Sequence, residues 1–197
     1  GQKTREEFGE AMKAGQRVVV DLQFDDVMSE REVKSLVVQI AHLYGKNRRS
    51  DKPLNLTLTS LDKRTRSGLE NIMGFDRWCL TAEQRELTCV FEHQNLVYLT
   101  AESPNTLHEM DPTKVYVIGG IVDHNRLKGH THNMAVAKKI QTARLPLEGN
   151  VDIGDRRRVL TVNHVFELML KVHEGESWKQ ALELSLPSRK LKAARKA

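Results

Sequence analysis

The sequence is poor in cysteine, in aromatics and in long apolar runs, and each scarcity removes a class of protein. Its two cysteines, Cys79 and Cys89, are separated by nine residues, with no third cysteine. That spacing matches no zinc-ligand pattern and cannot staple a small secreted domain. Buried, reduced thiols in an intracellular protein of the nucleus or cytoplasm are expected instead. No apolar run approaches the roughly 20 residues that a membrane-spanning helix needs, so no membrane partner is expected. The first ten residues are charged and hold no apolar core, so no secretory leader is read there. Gly1 stands where Met would begin a complete chain, which predicts a fragment of a longer protein.

The common nucleotide loops are missing as well. The first apolar strand ends Val20, Asp21, Leu22, Gln23, Phe24, Asp25, without the glycines of a dinucleotide fingerprint. There is no phosphate-binding G-x-x-x-x-G-K loop and no G-x-S-x-G nucleophile elbow. Dehydrogenases, phosphate-loop enzymes and serine hydrolases of the α/β type are thereby disfavoured. His124, His130 and His132 straddle a loop and a helix start without a supporting cysteine, so no metal site is expected.

What the chain does have is charge. Of its 197 residues, 31 are Lys or Arg and 26 are Asp or Glu, giving a net charge of +5. The basic residues cluster: Lys46, Arg48, Arg49 and Lys52; Lys63, Arg64 and Arg66; Arg156, Arg157 and Arg158; and Arg189 to Lys196 at the end. Clusters of this kind suit a phosphate backbone, and they equally suit a well-solvated surface.

Hydrophobic content of 39% suffices for one core. Thr4 with Glu7, and Ser29 with Glu32, form capping boxes that open helices. The first is read over residues 4–14. The second carries Val33, Leu36, Val37, Ile40, Leu43 and Tyr44 at helical spacing, with Gly45 as its stop. Further helices are read over residues 60–74, 81–91 (capped by Thr81 and Gln84), 130–140, 161–173 and 178–184. Strands are read over residues 17–22, 54–58, 96–99, 115–118 and 142–145. Alternation of the two predicts an α/β fold, a mostly parallel sheet with helices on both faces. The simplest organisation is an N-terminal helix at 1–15, one domain at 16–186 and a basic tail at 187–197.

The most informative stretch is Val115 to Asn125. Four apolar residues run into Gly119 and Gly120, and Asp123 follows. Paired glycines let the backbone turn sharply and approach a ligand, just past the carboxyl end of a strand. The same pattern also fits a plain turn with a solvated carboxylate.

Several segments, in order and nearly spanning the chain, resemble the SPOUT-class methyltransferases that modify N1 of the purine at position nine of tRNA, the Trm-ten family. They are residues 20–25, 47–49, 97–105, 116–125, 143–147 and 159–167. Two departures stand out. Gln23 occupies a position where a small hydroxyl residue is usual, and residues 63–78 match poorly. The resemblance implies a C-terminal trefoil knot formed by the loops at 119–123 and 145–147 and by the segment near Leu160 and Thr161. It implies S-adenosylmethionine as cofactor, with S-adenosylhomocysteine as product, and tRNA as partner of a monomeric enzyme. Asp123 would be the catalytic carboxylate. Leu99, Thr100, Gly119, Gly120, Ile121, Val122, Asp123, Leu127, Leu145, Leu160 and Thr161 would surround the cofactor. Asn47, Arg48, Arg49, Arg126, Lys128, Arg156, Arg157 and Arg158 would meet the RNA. The acceptor implied is guanine N1; adenine N1, or a non-catalytic tRNA platform, are the alternatives.

Overall fold

A computed structural model describes residues 2–122, 127, 129–147 and 160–185. Its centre is a six-stranded sheet, β1 (Arg17–Asp21), β2 (Asn55–Thr59), β3 (Thr81–Ala82), β4 (Leu96–Leu99), β5 (Val115–Gly119) and β6 (Gln141–Ala143). The strands lie in the order β3-β2-β1-β5-β4-β6, and every pairing is parallel. Successive residues of a strand face opposite sides. Yet Val18 to Val20, Leu96 to Leu99 and Val115 to Ile118 are all at most 9% exposed. Helices must therefore cover both faces, as the unbroken apolar runs predict.

Helix α1 (Arg5–Lys13) opens on the expected capping box, with Glu7 N donating to Thr4 Oγ1 and Thr4 N to the Glu7 carboxylate. Helix α2 (Glu30–Arg49) opens on the Ser29–Glu32 box. It packs against α3 (Lys63–Glu70) and α6 (Val162–His173), and α6 packs in turn against α7 (Trp178–Ser185). Helix α5 (His130–Ala137) is shorter than expected, because Lys139 takes a left-handed φ of 57° and closes the turn.

Three expectations fail for physical reasons. Gly45 does not stop α2, which continues to Arg49. A mid-helix glycine costs only about 1 kcal/mol relative to alanine, and the final turn is anchored by tertiary contacts. Asn47 is fully buried, accepts from Leu54 N at 2.8 Å and donates to Leu54 O at 2.9 Å. The Arg48 guanidinium lies 4.8 Å over the Phe8 ring and donates to Lys3 O. Residues 81–91 are not one helix. Thr81 and Ala82 pair with Thr57 and Leu58 as β3, and only the short α4 (Leu87–Val90) is helical. Sheet-edge pairing overrides the local helical pattern there. The cysteines are not buried either: Cys79 is half-buried and Cys89 exposed.

The Asn47 contacts carry a prediction. Asn47→Ala removes both hydrogen bonds and leaves the Leu54 backbone groups unpaired in the interior. It is expected to cost about 2–4 kcal/mol of stability, read as a lowered denaturant midpoint. A loss below 0.5 kcal/mol would count against the anchoring role.

Candidate active site at the carboxyl edge of the sheet

Chain order runs from β1 out to β2 and β3 on one side of the sheet. The strands β5, β4 and β6 lie on the other. The carboxyl edge at such a reversal is where open parallel sheets bind ligands. Register brings the candidate residues together there. Asp21 is level with Gly119, and Leu99 is level with both Ile118 and Ala143.

Gly120 is required by space rather than by dihedral angle, and Gly119 is tightly packed; neither is among the residues with positive φ. A Cβ on Gly120 would lie 2.7 Å from Leu22 Cδ2 and 2.8 Å from Asp21 O, the oxygen that Gly120 N already binds at 2.8 Å. A Cβ on Gly119 would lie 3.0 Å from Thr131 Cγ2 and 3.5 Å from the Tyr98 hydroxyl. The chain therefore leaves β5 pressed against β1. Ile121 and Val122 follow, half-buried against the core, with Val122 N directed at Met28 Sδ at 3.4 Å.

Leu99 ends β4 with 9% exposure. The polar groups of Thr100 are engaged within the protein. Its N–H donates to Ala143 O, its carbonyl accepts from Ser103 N, and its hydroxyl donates to the Glu102 carboxylate at 2.9 Å. The loop after β4 is laced to β6 by Ser103 Oγ and Thr142 Oγ1, 2.8 Å apart, and by Arg144 N donating to Asn105 O. Leu145 and Leu160 are half-buried and pack, as Trp178 does, against the cluster of Leu168, Ala181 and Leu182. Leu127 is half-buried and accepts from His130 N. Thr161 is exposed at the start of α6, and its hydroxyl turns to Asn163 Oδ1 instead of capping the helix.

A buried acid also lies at this edge, at the end of β1, where it anchors the neighbouring segments. Asp21 is fully buried. It accepts from Tyr98 OH at 2.8 Å, Gln23 Nε2 at 2.5 Å and Thr59 Oγ1 at 3.4 Å. Burial raises its pKa, opposed by the hydrogen bonds from Gln23 and Tyr98, by the charge of Lys138 and by the Thr59 hydrogen bond. Burial, and then the neighbouring Asp21 charge, hold the Tyr98 phenol well above its usual range. Among the described residues no group of three or more His, Cys, Asp or Glu is placed to hold a metal ion.

The candidate RNA residues divide. Asn47 is inside the protein with its amide consumed, so it cannot meet a base. Arg48 is half-buried on Phe8, while Arg49 is exposed. Asp123, Arg126, Lys128, Arg156, Arg157 and Arg158 lie outside the described residues. A basic stripe was overlooked. Arg31, Lys34, His42 and Arg49 are all exposed along α2, at spacings that place them on one helix face. Its signal was in the sequence, as the positions left over by the apolar stripe of the same helix.

Residues 2–191 match the family model described as tRNA (guanine(9)-N(1))-methyltransferase TRM10/TRM10A. The chain is 39% identical over 189 residues to tRNA (guanine(9)-N(1))-methyltransferase Trmt10A of Drosophila melanogaster, covering 94% of this chain and 59% of that protein. It is 40% identical over 183 residues to tRNA methyltransferase 10 homolog A of Xenopus tropicalis, covering 92% of this chain and 54% of that protein. It thus spans a little over half the length of these relatives. Among solved structures, the full-length spTrm10–SAH complex superposes with a TM-score of 0.82 at 33% identity, covering 89% of this chain and 95% of that one. A dual-specific Trm10 from Thermococcus kodakaraensis, 20% identical with a TM-score of 0.67, shares the fold. The chain belongs to the TRM10/TRM10A family.

Proposed function

We propose that this TRM10/TRM10A-family domain transfers a methyl group from S-adenosylmethionine to N1 of guanine at position 9 of tRNA. The observation that carries the reading is the turn at Gly119 and Gly120. It is pressed against β1 at the reversal of strand order and leads three residues on to Asp123. The names of the relatives and the SAH complex of a structural neighbour support it. The fold is proposed to be a SPOUT domain whose C-terminal segment makes a trefoil knot, and to act as a monomer.

The described residues fit an adenosine-bearing cofactor. Ile121 and Val122 after β5 and Leu145 after β6 are half-buried apolar groups packed on the core at the carboxyl ends of their strands, and Gly119 is half-open. When bound, S-adenosylmethionine supplies a methyl carbon on a sulfonium sulfur. The protein's part is to hold guanine N1 in line with that carbon and to take its proton. Guanine N1 carries a proton at neutral pH. Asp123 would accept that proton as N1 takes up the methyl group, with S-adenosylhomocysteine as the product. Positioning contributes alongside the base, since a well-aligned acceptor converts a bimolecular step into a unimolecular one. The decisive experiment is methyl transfer from labelled cofactor to tRNA transcripts carrying G, A or U at position 9. Transfer to the G transcript alone is expected. Equal transfer to all three, or transfer elsewhere in the tRNA, would sink the reading.

The stripe on α2 is proposed as part of the RNA surface, with Arg126, Lys128 and Arg156 to Arg158. From Arg31 to Arg49 it extends about 27 Å at 1.5 Å per residue, beginning near the carboxyl edge where α2 follows β1. Lys46, in the same helix, is instead paired with Glu167 at 3.6 Å. Replacing Arg31, Lys34 and Arg49 together by Gln is expected to reduce the slope of log Kd against log salt by about 3, one per phosphate contact. Filter binding between 50 and 200 mM salt checks this, and an unchanged slope would exclude α2 from the interface.

A further inference from the structure

Gln23 is an exposed side chain attached to a fully buried one. It follows β1, and its Nε2 donates to Asp21 Oδ2. The same oxygen accepts from Tyr98 OH at 2.8 Å, and that hydroxyl lies 3.5 Å from where a Cβ on Gly119 would be. Asp21 O holds Gly120 N at 2.8 Å. The Gln23 amide is therefore fixed beside the start of the loop that leads to Asp123.

The chemistry of Asp21 dictates which way that amide faces. A carboxylate oxygen accepts and does not donate, so the NH₂ of Gln23 must turn inward and its carbonyl Oε1 outward. The orientation survives protonation of Asp21. A proton on Oδ1, the oxygen facing Thr59 at 3.4 Å, leaves Oδ2 as the acceptor shared by Tyr98 and Gln23. A buried acid thus converts a two-faced amide into a fixed acceptor at the mouth of the site.

We infer that Gln23 is a specificity-determining residue, its Oε1 accepting from the 2-amino group of the target guanine. The inference rests on the guanine-N1 reading above. Guanine carries an amino group at C2, next to N1; adenine carries only hydrogen there. With the ribose side of the base fixed, an adenine presents no donor to Oε1. A single hydrogen bond of this kind is worth about 2- to 12-fold in discrimination between the bases. Asp21 acts through Gln23, as its positioning residue.

The test compares tRNA transcripts with G or A at position 9, in two readouts: binding in the presence of S-adenosylhomocysteine, and kcat/KM for methyl transfer. Gln23→Ala, at an exposed position, should fold normally. It should lower the G-over-A ratio by about three- to tenfold in both readouts, chiefly by weakening G. Asp21→Asn frees the Gln23 amide to turn over and should relax the ratio severalfold with Gln23 still present. A side chain that merely covers Asp21 would affect the two transcripts equally, and that result from Gln23→Ala overturns the inference. Binding separates it from the parent reading. Lost discrimination in binding supports the role of Gln23 even if no methyl is transferred, whereas absence of transfer by the unaltered chain refutes the reaction.

Discussion

Asp123→Asn is expected to slow methylation of guanine by about 10²- to 10⁴-fold, the usual range for removing a positioned general base. The substitution keeps shape and removes basicity. An asparagine at the end of the glycine turn can still accept a hydrogen bond but cannot take the N1 proton. The folded chain and its affinity for tRNA should be unchanged, so the loss falls on kcat. Because Asp123 is also proposed to touch the cofactor, affinity for S-adenosylhomocysteine must be measured alongside, and a decrease there should be smaller than the decrease in kcat. Adenine gives the internal control. Its N1 has no proton to remove, so any adenine methylation should respond far less to the same substitution. If guanine methylation falls less than fivefold, proton transfer to Asp123 is not what the site supplies, and alignment of donor and acceptor carries the rate.

The sequence betrayed those parts of the molecule whose causes are local. The capping boxes at Thr4 and Ser29 declare themselves within four residues, and both form. The runs at Val18, Leu96 and Val115 are buried on both faces because both faces are covered, and an unbroken apolar stretch records that directly. What escaped was set by distant partners. Gly45 is a stop signal in isolation. It fails because Asn47, two residues on, is anchored to Leu54 of another segment. Thr81 and Gln84 look like a helix cap, and the Leu58 edge takes Thr81 and Ala82 into the sheet instead. The Asp21–Tyr98 bond joins residues 77 apart, and no pattern in either strand announces it. Gly119 and Gly120 carry a local signal as well, because paired glycines at the end of a strand mark a close approach of the backbone. What the pair approaches is not local: the missing Cβ of Gly120 makes room for Asp21 O and Leu22, about a hundred residues away, and serves no positive φ.

That difference can be measured at Gly120. A methyl group there would sit 2.7 Å from Leu22 Cδ2 and 2.8 Å from Asp21 O. Leu22 can move, but the Asp21 carbonyl cannot, because β1 is an inner strand paired on both sides. The turn must instead lift away from β1, stretching the Gly120 N to Asp21 O hydrogen bond. Overpacking of this kind costs about 1–3 kcal/mol, or a lowering of Tm by several degrees in a chain of this size. The functional loss should be larger than the loss of stability suggests. Asp123 is three residues downstream, and a displacement near 1 Å at a reacting centre costs about 10²-fold in rate. Gly119→Ala is the matched comparison. Its nearest neighbours, Thr131 Cγ2 at 3.0 Å, the Tyr98 hydroxyl at 3.5 Å and Phe24 Cε2 at 3.6 Å, are all side-chain atoms, and side chains can yield by a few tenths of an ångström. Gly120→Ala should therefore be the more damaging in both Tm and kcat. Turn flexibility would predict the two to be alike, since neither glycine has a positive φ. The reverse order would mean that the opening beside Gly119, and not the contact with β1, governs the loop that delivers Asp123.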